Sequence, residues 1–175
     1  ALLAEATGSA FLPLFSGPNS LGVRAVLREA GYPRAGGLTA PEMAAMAKAG
    51  TVGVLLPGVS LSLRQPYPDA AALAAHGVKL ALATDANPGT SFVLSMPFIV
   101  ALAALEMGMP LDDALWSATR GGAMALRLAD RGHLVPGAVA DAVVLDADHH
   151  AHLAYRPDAD HVARVIKTGR TVYQR

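Results

Sequence analysis

The chain has 175 residues, of which 53% are hydrophobic and 16% charged, and its 14 basic and 14 acidic residues cancel to a formal net charge of zero. That is the size of one ordinary domain or of one lobe of something larger, apolar enough to fill a core and without the basic surplus that would neutralise nucleic-acid phosphates. Cysteine is absent, which excludes disulfides, thiolate metal ligands and thiol redox chemistry and allows a cytoplasmic setting.

Two windows lack charged side chains, Ala6 to Val23 and Ala86 to Leu105. Gly8, Pro13, Gly17, Pro18 and Asn19 interrupt the first, and Asn87-Pro88-Gly89 and Pro97 the second, so neither supplies the roughly 20 consecutive apolar residues of a spanning helix and no membrane partner is expected. The sequence begins with Ala1 and shows neither the basic start nor the small-residue cleavage site of a signal peptide, which suits a piece of a longer protein.

In chain order, "AFLPLF" reads as a strand damaged by Pro13, and "AVLREAGYPRAGG" as a helix followed by a turn. From Thr39 the punctuation becomes regular. Thr39 and Glu42 have the spacing of a capping box, which predicts a helix over "APEMAAMAKA" ending at Gly50. "TVGVLL" is a buried strand stopped by Pro57-Gly58, and a polar connection follows. "PDAAALAAH" is a second helix with Gly77 as its C-cap, and "VKLALAT" a second buried strand. Apolar strands alternating with helices argue for a parallel α/β sheet or barrel.

Pro97 starts the next helix, "PFIVALAALEM", which Gly108 ends. "PLDDALWSAT" and "AMALRL" are two helical pieces separated by Gly121-Gly122. Near Asp130 the character changes: "DRGHLVPGAVADAVVLDAD" carries turn residues around a short strand, and "HVARVIKTGRTVYQ" reads as a hairpin turning at Thr168-Gly169-Arg170. A boundary therefore falls close to residue 129, between an α/β part over 1–129 and a small β part over 130–175.

Asp85, at the end of the second strand, admits two readings. It is a turn or helix-cap aspartate, or a metal ligand or general base at the C-terminal rim of a barrel, where catalytic groups collect. Asn87, Gly89 and Thr90 are likewise either turn formers or a small anion-binding loop of backbone N–H groups. Arg64, Gln65 and Tyr67 follow a strand end and are placed to touch a substrate, although ordinary connecting residues would look the same. The six histidines are His76, His133, His149, His150, His152 and His161. His150 and His152 have the H-x-H spacing of a ligand pair on a strand, but their polar setting late in the chain favours an exposed loop. His76 is a helix-end residue favoured by the dipole. No nucleophile elbow, P-loop or dinucleotide fingerprint occurs.

"VKLALATDANPGTS", "SMPFIVALAALEMGM", "DDALWSATRGGAMAL", "GHLVPGAVADAVVLDA" and "HLAYRPDADHVARVIKTGR" together resemble the C-terminal part of the imidazolonepropionase family of metal-dependent amidohydrolases. The TDxNPG(S/T)S element is specific to that family, whereas the G-x-L-x-P-G-x-x-A-D-x-V-x-L-D pattern is shared by many amidohydrolases. The resemblance runs from about Thr39 to the end. It implies the C-terminal portion of a (β/α)8 TIM-like barrel plus a segment of a small β-sandwich.

It further implies one zinc or iron ion, hydrolysis of 4-imidazolone-5-propanoate to N-formimidoyl-L-glutamate, Asp85 as both metal ligand and catalytic proton acceptor, and Asn87, Gly89 and Thr90 as substrate-binding residues. The family's H-x-H pair and further histidines have no counterpart, since residues 1–75 contain no histidine and Arg34 with Gly36-Gly37 stands near where one is expected. The expected partners are accordingly a missing N-terminal half or a second copy in a homodimer. The readings that remain are an incomplete hydrolase of this kind, a relative such as a deaminase acting on another ring, and a non-catalytic interaction module.

Overall fold

A computed structural model describes residues 11–14 and 38–175. The expected helix over 25–37, with Arg34, Gly36 and Gly37, lies outside the described residues. The elements in chain order are β1 (Phe11–Leu14), α1 (Ala40–Lys48), β2 (Val52–Leu55), α2 (Pro57–Leu63), α3 (Ala70–Ala75), β3 (Lys79–Leu82), α4 (Met96–Leu105), α5 (Leu111–Trp116), a π-helical turn (Ser117–Gly121), α6 (Gly122–Ala125), β4 (Ala142–Leu145), α7 (His152–Tyr155), β5 (Val162–Lys167) and β6 (Arg170–Gln174).

Strands β1, β2 and β3 form a parallel sheet in chain order, with Phe11 opposite Val52 and Val52 opposite Lys79. Parallel neighbours need helical crossovers, and those helices bury the strands on both faces, which is why β2 and β3 are apolar runs rather than alternating ones. On one face Leu55, Leu80 and Leu82 pack with Met43 and Met46 of α1, Leu73 of α3 and Ile99 and Leu102 of α4. On the other, Val52, Val54 and Ala81 pack with Leu56 and Val59. Leu55 and Ile99 are wholly buried, and each such side chain contributes roughly 1.5–3 kcal/mol of transfer free energy.

Local chemistry sets the helix ends. The Glu42 carboxylate accepts from the Thr39 N–H at 2.7 Å and from its hydroxyl at 2.8 Å, Asp69 caps α3 through the Ala72 N–H at 2.8 Å, and Ser95 caps α4 through the Phe98 N–H. Two expectations change. Pro57-Gly58 does more than stop β2: Pro57 occupies the first turn of α2, where its missing N–H costs nothing. Gly121-Gly122 does not separate two helices either, since the helix runs through both by way of the π turn. A Cβ at Gly121 would lie 2.1 Å from the Leu80 carbonyl oxygen, so this glycine lets the helix rest directly on the backbone of β3. Beyond it, the Arg120 guanidinium donates to the carbonyls of Leu128, Ala129 and Arg131 at 3.0–3.4 Å and ties down the chain leaving α6.

Strands β4, β5 and β6 form a separate antiparallel sheet. Lys167 pairs with Arg170, so the hairpin loop is Thr168-Gly169, and both residues take positive φ (47° and 76°), as a two-residue turn between right-twisted strands requires. The Asp141 carboxylate accepts from the Thr168 N–H at 2.8 Å. Helix α7 joins the two parts by packing on α4, with Leu153 buried. Among the described residues no helix is long and apolar enough to cross a membrane.

Candidate functional site

Strand β3 ends at Leu82, and the chain leaves the sheet through Ala83 and Thr84 into Asp85. Asp85 adopts φ 47°, the left-handed region that few residues other than glycine, asparagine and aspartate enter. Such a conformation costs free energy and is held only where the surroundings determine it. The side chain is half-buried, and that burial raises its carboxyl pKa above the ordinary aspartate value. The result is a carboxylate at the C-terminal end of β3, the edge strand of the described parallel sheet, whose burial favours its protonated form.

The loop beyond Asp85 is built around one side chain. The Asn87 carboxamide oxygen accepts the N–H groups of Gly89 and Thr90, both at 2.8 Å, and its amide nitrogen donates to the Asp85 carbonyl at 2.5 Å and to the Thr90 hydroxyl at 3.0 Å. A Cβ on Gly89 would stand 3.2 Å from that carboxamide oxygen, so glycine permits the close turn. Asn87 and Ser91 close the base of the loop, the Asn87 N–H donating to the Ser91 carbonyl at 2.8 Å. Asp85, Asn87, Gly89 and Thr90 are thus brought together in one turn. Asn87 holds that turn with both ends of its amide.

Ser91 closes the TDxNPG(S/T)S element, but the sequence assigns it no role of its own. It is wholly buried, and its hydroxyl donates to the Thr84 carbonyl at 3.0 Å. The only local signal is a serine at the close of a polar turn. Nothing in composition or periodicity distinguishes it from an exposed neighbour such as Ser95.

The remaining candidates stand elsewhere. Arg64 is exposed at the C-cap of α2, and so follows a helix rather than a strand. Gln65 donates to the Leu63 carbonyl at 3.4 Å. The Tyr67 hydroxyl has a raised pKa, through burial first and then through the charge of Glu106, the C-cap residue of α4. His149 and His150 occupy an exposed bend, with His150 Nε2 2.8 Å from Asp112 Oδ1, and His152 opens α7. The H-x-H pair is therefore not on a strand. His76 caps the end of α3, and His161 is buried with Nε2 2.8 Å from the Arg156 carbonyl. Among the described residues no three histidine, aspartate or glutamate side chains converge closely enough to hold a metal ion. Asp85 is one possible ligand, and a catalytic zinc site typically takes about three protein ligands, so the described residues do not by themselves fit a complete metal centre.

The sequence pattern of the amidohydrolase family matches residues 26–173. This chain belongs to the amidohydrolase family. As an amidohydrolase it is similar to imidazolonepropionase from Streptomyces avermitilis, 53% identical over 135 residues, which is 77% of this chain and 33% of that protein. The imidazolonepropionases of Streptomyces coelicolor and Salinispora arenicola are each 53% identical over 75% of this chain and 34% of their own length. The amidohydrolase chain spans about a third of the length of these curated relatives. Among solved structures it resembles a zinc-bound adenosine deaminase from Xanthomonas campestris, with TM-score 0.77 and 24% identity over 97% of this chain and 46% of that one. An atrazine chlorohydrolase from Arthrobacter aurescens gives TM-score 0.77 at 18% identity, over 99% of this chain and 46% of the other. These likenesses place the α/β part in the TIM-barrel-type amidohydrolase fold, of which this chain is a portion.

Proposed function

We propose that the chain is the C-terminal portion of an imidazolonepropionase-type hydrolase, which opens the lactam ring of 4-imidazolone-5-propanoate to N-formimidoyl-L-glutamate in histidine degradation. The observation that carries the reading is the half-buried Asp85 at the end of β3, beside a turn whose backbone Asn87 fixes. In the reaction a water oxygen bonds to the ring carbonyl carbon, the carbonyl–nitrogen bond breaks, and the nitrogen leaves with a proton. Asp85, as the carboxylate, would receive the proton that the attacking water gives up, and its burial makes it a stronger base than a free aspartate. Asn87 and Gly89 would hold the product-like chain, and Thr90 the substrate. Asp85 would also be one ligand of a divalent ion, zinc or iron, whose remaining ligands belong to the two thirds of the relatives' length that this chain does not span.

The same reading gives the organisation of the chain: barrel strands and helices over 1–129, and strands of a small β-sandwich over 130–175. Val143 and Tyr173, which both pair with Val165 and so share one face of the sheet, are exposed, an apolar surface of the kind a facing sheet would cover. The completing partner would be the N-terminal part of such an enzyme or a second copy, in the cytoplasm.

The test is metal content by mass spectrometry, together with ring-opening activity, on the purified chain alone and co-expressed with the remaining part of the Streptomyces avermitilis relative. Stoichiometric zinc or iron and activity in the co-expressed sample, lost in Asp85→Asn, are the expected result. A co-expressed sample without metal and without ring opening overturns the catalytic reading and leaves a non-catalytic interaction module.

A further inference from the structure

We propose that Ser91 is the positioning residue for Asp85, and that Gly58, on the neighbouring β2–α2 connection, leaves the space in which the Ser91 hydroxyl is packed. The left-handed backbone of Asp85 needs an external cause, because an L-residue entering that region gives up free energy that the loop must return. Rotation about φ of Asp85 is measured from the peptide plane that joins Thr84 to Asp85. The Ser91 hydroxyl donates to the carbonyl of that same peptide at 3.0 Å and so fixes the plane. The Ser91 carbonyl accepts the Asn87 N–H at 2.8 Å, two residues past Asp85. One buried residue therefore grips the chain on both sides of the carboxylate.

Ser91 can do this only if its hydroxyl cannot swing away. It is wholly buried, and a Cβ at Gly58 would come within 3.0 Å of its Oγ, within 3.1 Å of Ile99 Cδ1 and within 3.4 Å of the Val93 Cβ. Gly58 is in the first turn of α2, immediately after β2. The first turn after β2 thus leaves the room that the Ser91 hydroxyl fills, and Gly58 is glycine because Ser91 occupies the space where its side chain would be. That Asp85 serves the chemistry rests on the reading proposed above. The hold of Ser91 on the loop is independent of it.

The experiment is amide hydrogen exchange on the full chain with Ser91→Ala. Exchange at Asn87, Gly89 and Thr90 is expected to rise at least about fivefold, the scale set by one net hydrogen bond, while the amides of β2 and β3 hold their rates. Should Ser91→Ala fail to fold, Gly58→Ala perturbs the same contact from the other side and is expected to give the same pattern. Loop exchange within about twofold of the parent, or a rise spread equally over β2 and β3, overturns the proposal, because Ser91 would then be ordinary core. In the co-expressed assembly loaded with cobalt, Ser91→Ala is expected to alter the visible ligand-field band, which loss of generic packing would not move. An unchanged band also overturns the positioning role. If the parent assembly takes up no cobalt, the metal reading of Asp85 has failed, and hydrogen exchange alone decides Ser91.

Discussion

Gly121 and Gly122 are adjacent, both helical, and carry opposite expectations for the same substitution. A Cβ at Gly121 would stand 2.1 Å from the Leu80 carbonyl oxygen and 3.1 Å from the Leu80 carbonyl carbon, more than about 1 Å inside ordinary contact for the nearer atom. The atoms it meets are backbone of β3, paired along its length with β2, and they cannot rotate aside as a side-chain tip would. Gly121→Ala must therefore push the π turn off the strand, at the upper end of the usual overpacking cost, about 3 kcal/mol. At 2–4 °C per kcal/mol for a chain of this length, Tm should fall by about 6–12 °C. Gly122 has φ −59° and ψ −45°, and a Cβ there would meet only the Ser117 carbonyl oxygen, at 3.9 Å. Gly122→Ala should stabilise the chain by about 0.5–1 kcal/mol, because alanine loses less backbone entropy on folding. Urea unfolding followed by circular dichroism measures both. If Gly121→Ala lies within about 0.5 kcal/mol of the parent, or if the two variants lose equally, the close approach is not what selects glycine at 121.

Asp85 gives a prediction with a definite sign. Burial raises its folded pKa above the ordinary 3.8, so its contribution to stability is fully present below that value and is lost as pH rises through the folded one. Asp85→Asn, which does not titrate, should therefore gain in Tm relative to the parent between about pH 3.5 and pH 7; a relative loss over that range would contradict the burial. Arg120→Met removes a guanidinium whose Nη1 serves three carbonyls and should cost about 1–2 kcal/mol in urea unfolding, with Arg120→Lys recovering less than half, since the lysine ammonium ends one bond short of that nitrogen. Equal stability of the lysine variant and the parent would assign the effect to the alkyl stem instead.

The parts of the fold that were legible in the sequence are those fixed by local chemistry. Thr39 with Glu42 opens a helix, Gly50, Gly77 and Gly108 take the positive φ that closes one, and β2 and β3 are apolar runs because both faces are covered. The carboxylate at the end of β3 was legible for the same reason: an Asp followed by Asn-Pro-Gly must leave the strand and turn. What local rules misread is glycine used for contact. Pro57-Gly58 looks like a stop, yet it begins α2, and its glycine faces Ser91. Gly121-Gly122 looks like a break, yet the helix continues so that Gly121 can lie on Leu80. Both partners are distant in sequence, Ser91 by 33 positions and Leu80 by 41, and no window of helical or strand period spans them.

The same distance explains why the chemistry of Asp85 was readable while its support was not. A carboxylate at a strand end advertises itself by type and place, whereas a buried serine is recognised only by what surrounds it. In a parallel sheet each loop leaves beside the loop of the adjacent strand, so the groups that fix one functional loop come from the neighbouring strand–helix unit, tens of residues away. Gly58, 27 positions before Asp85, has that relation to it, acting through Ser91 of the same loop. Substitutions at Gly58 should therefore be felt first at the Asp85 turn, with the hydrogen-bonding of β2 left intact, even though Gly58 directly follows β2 in sequence.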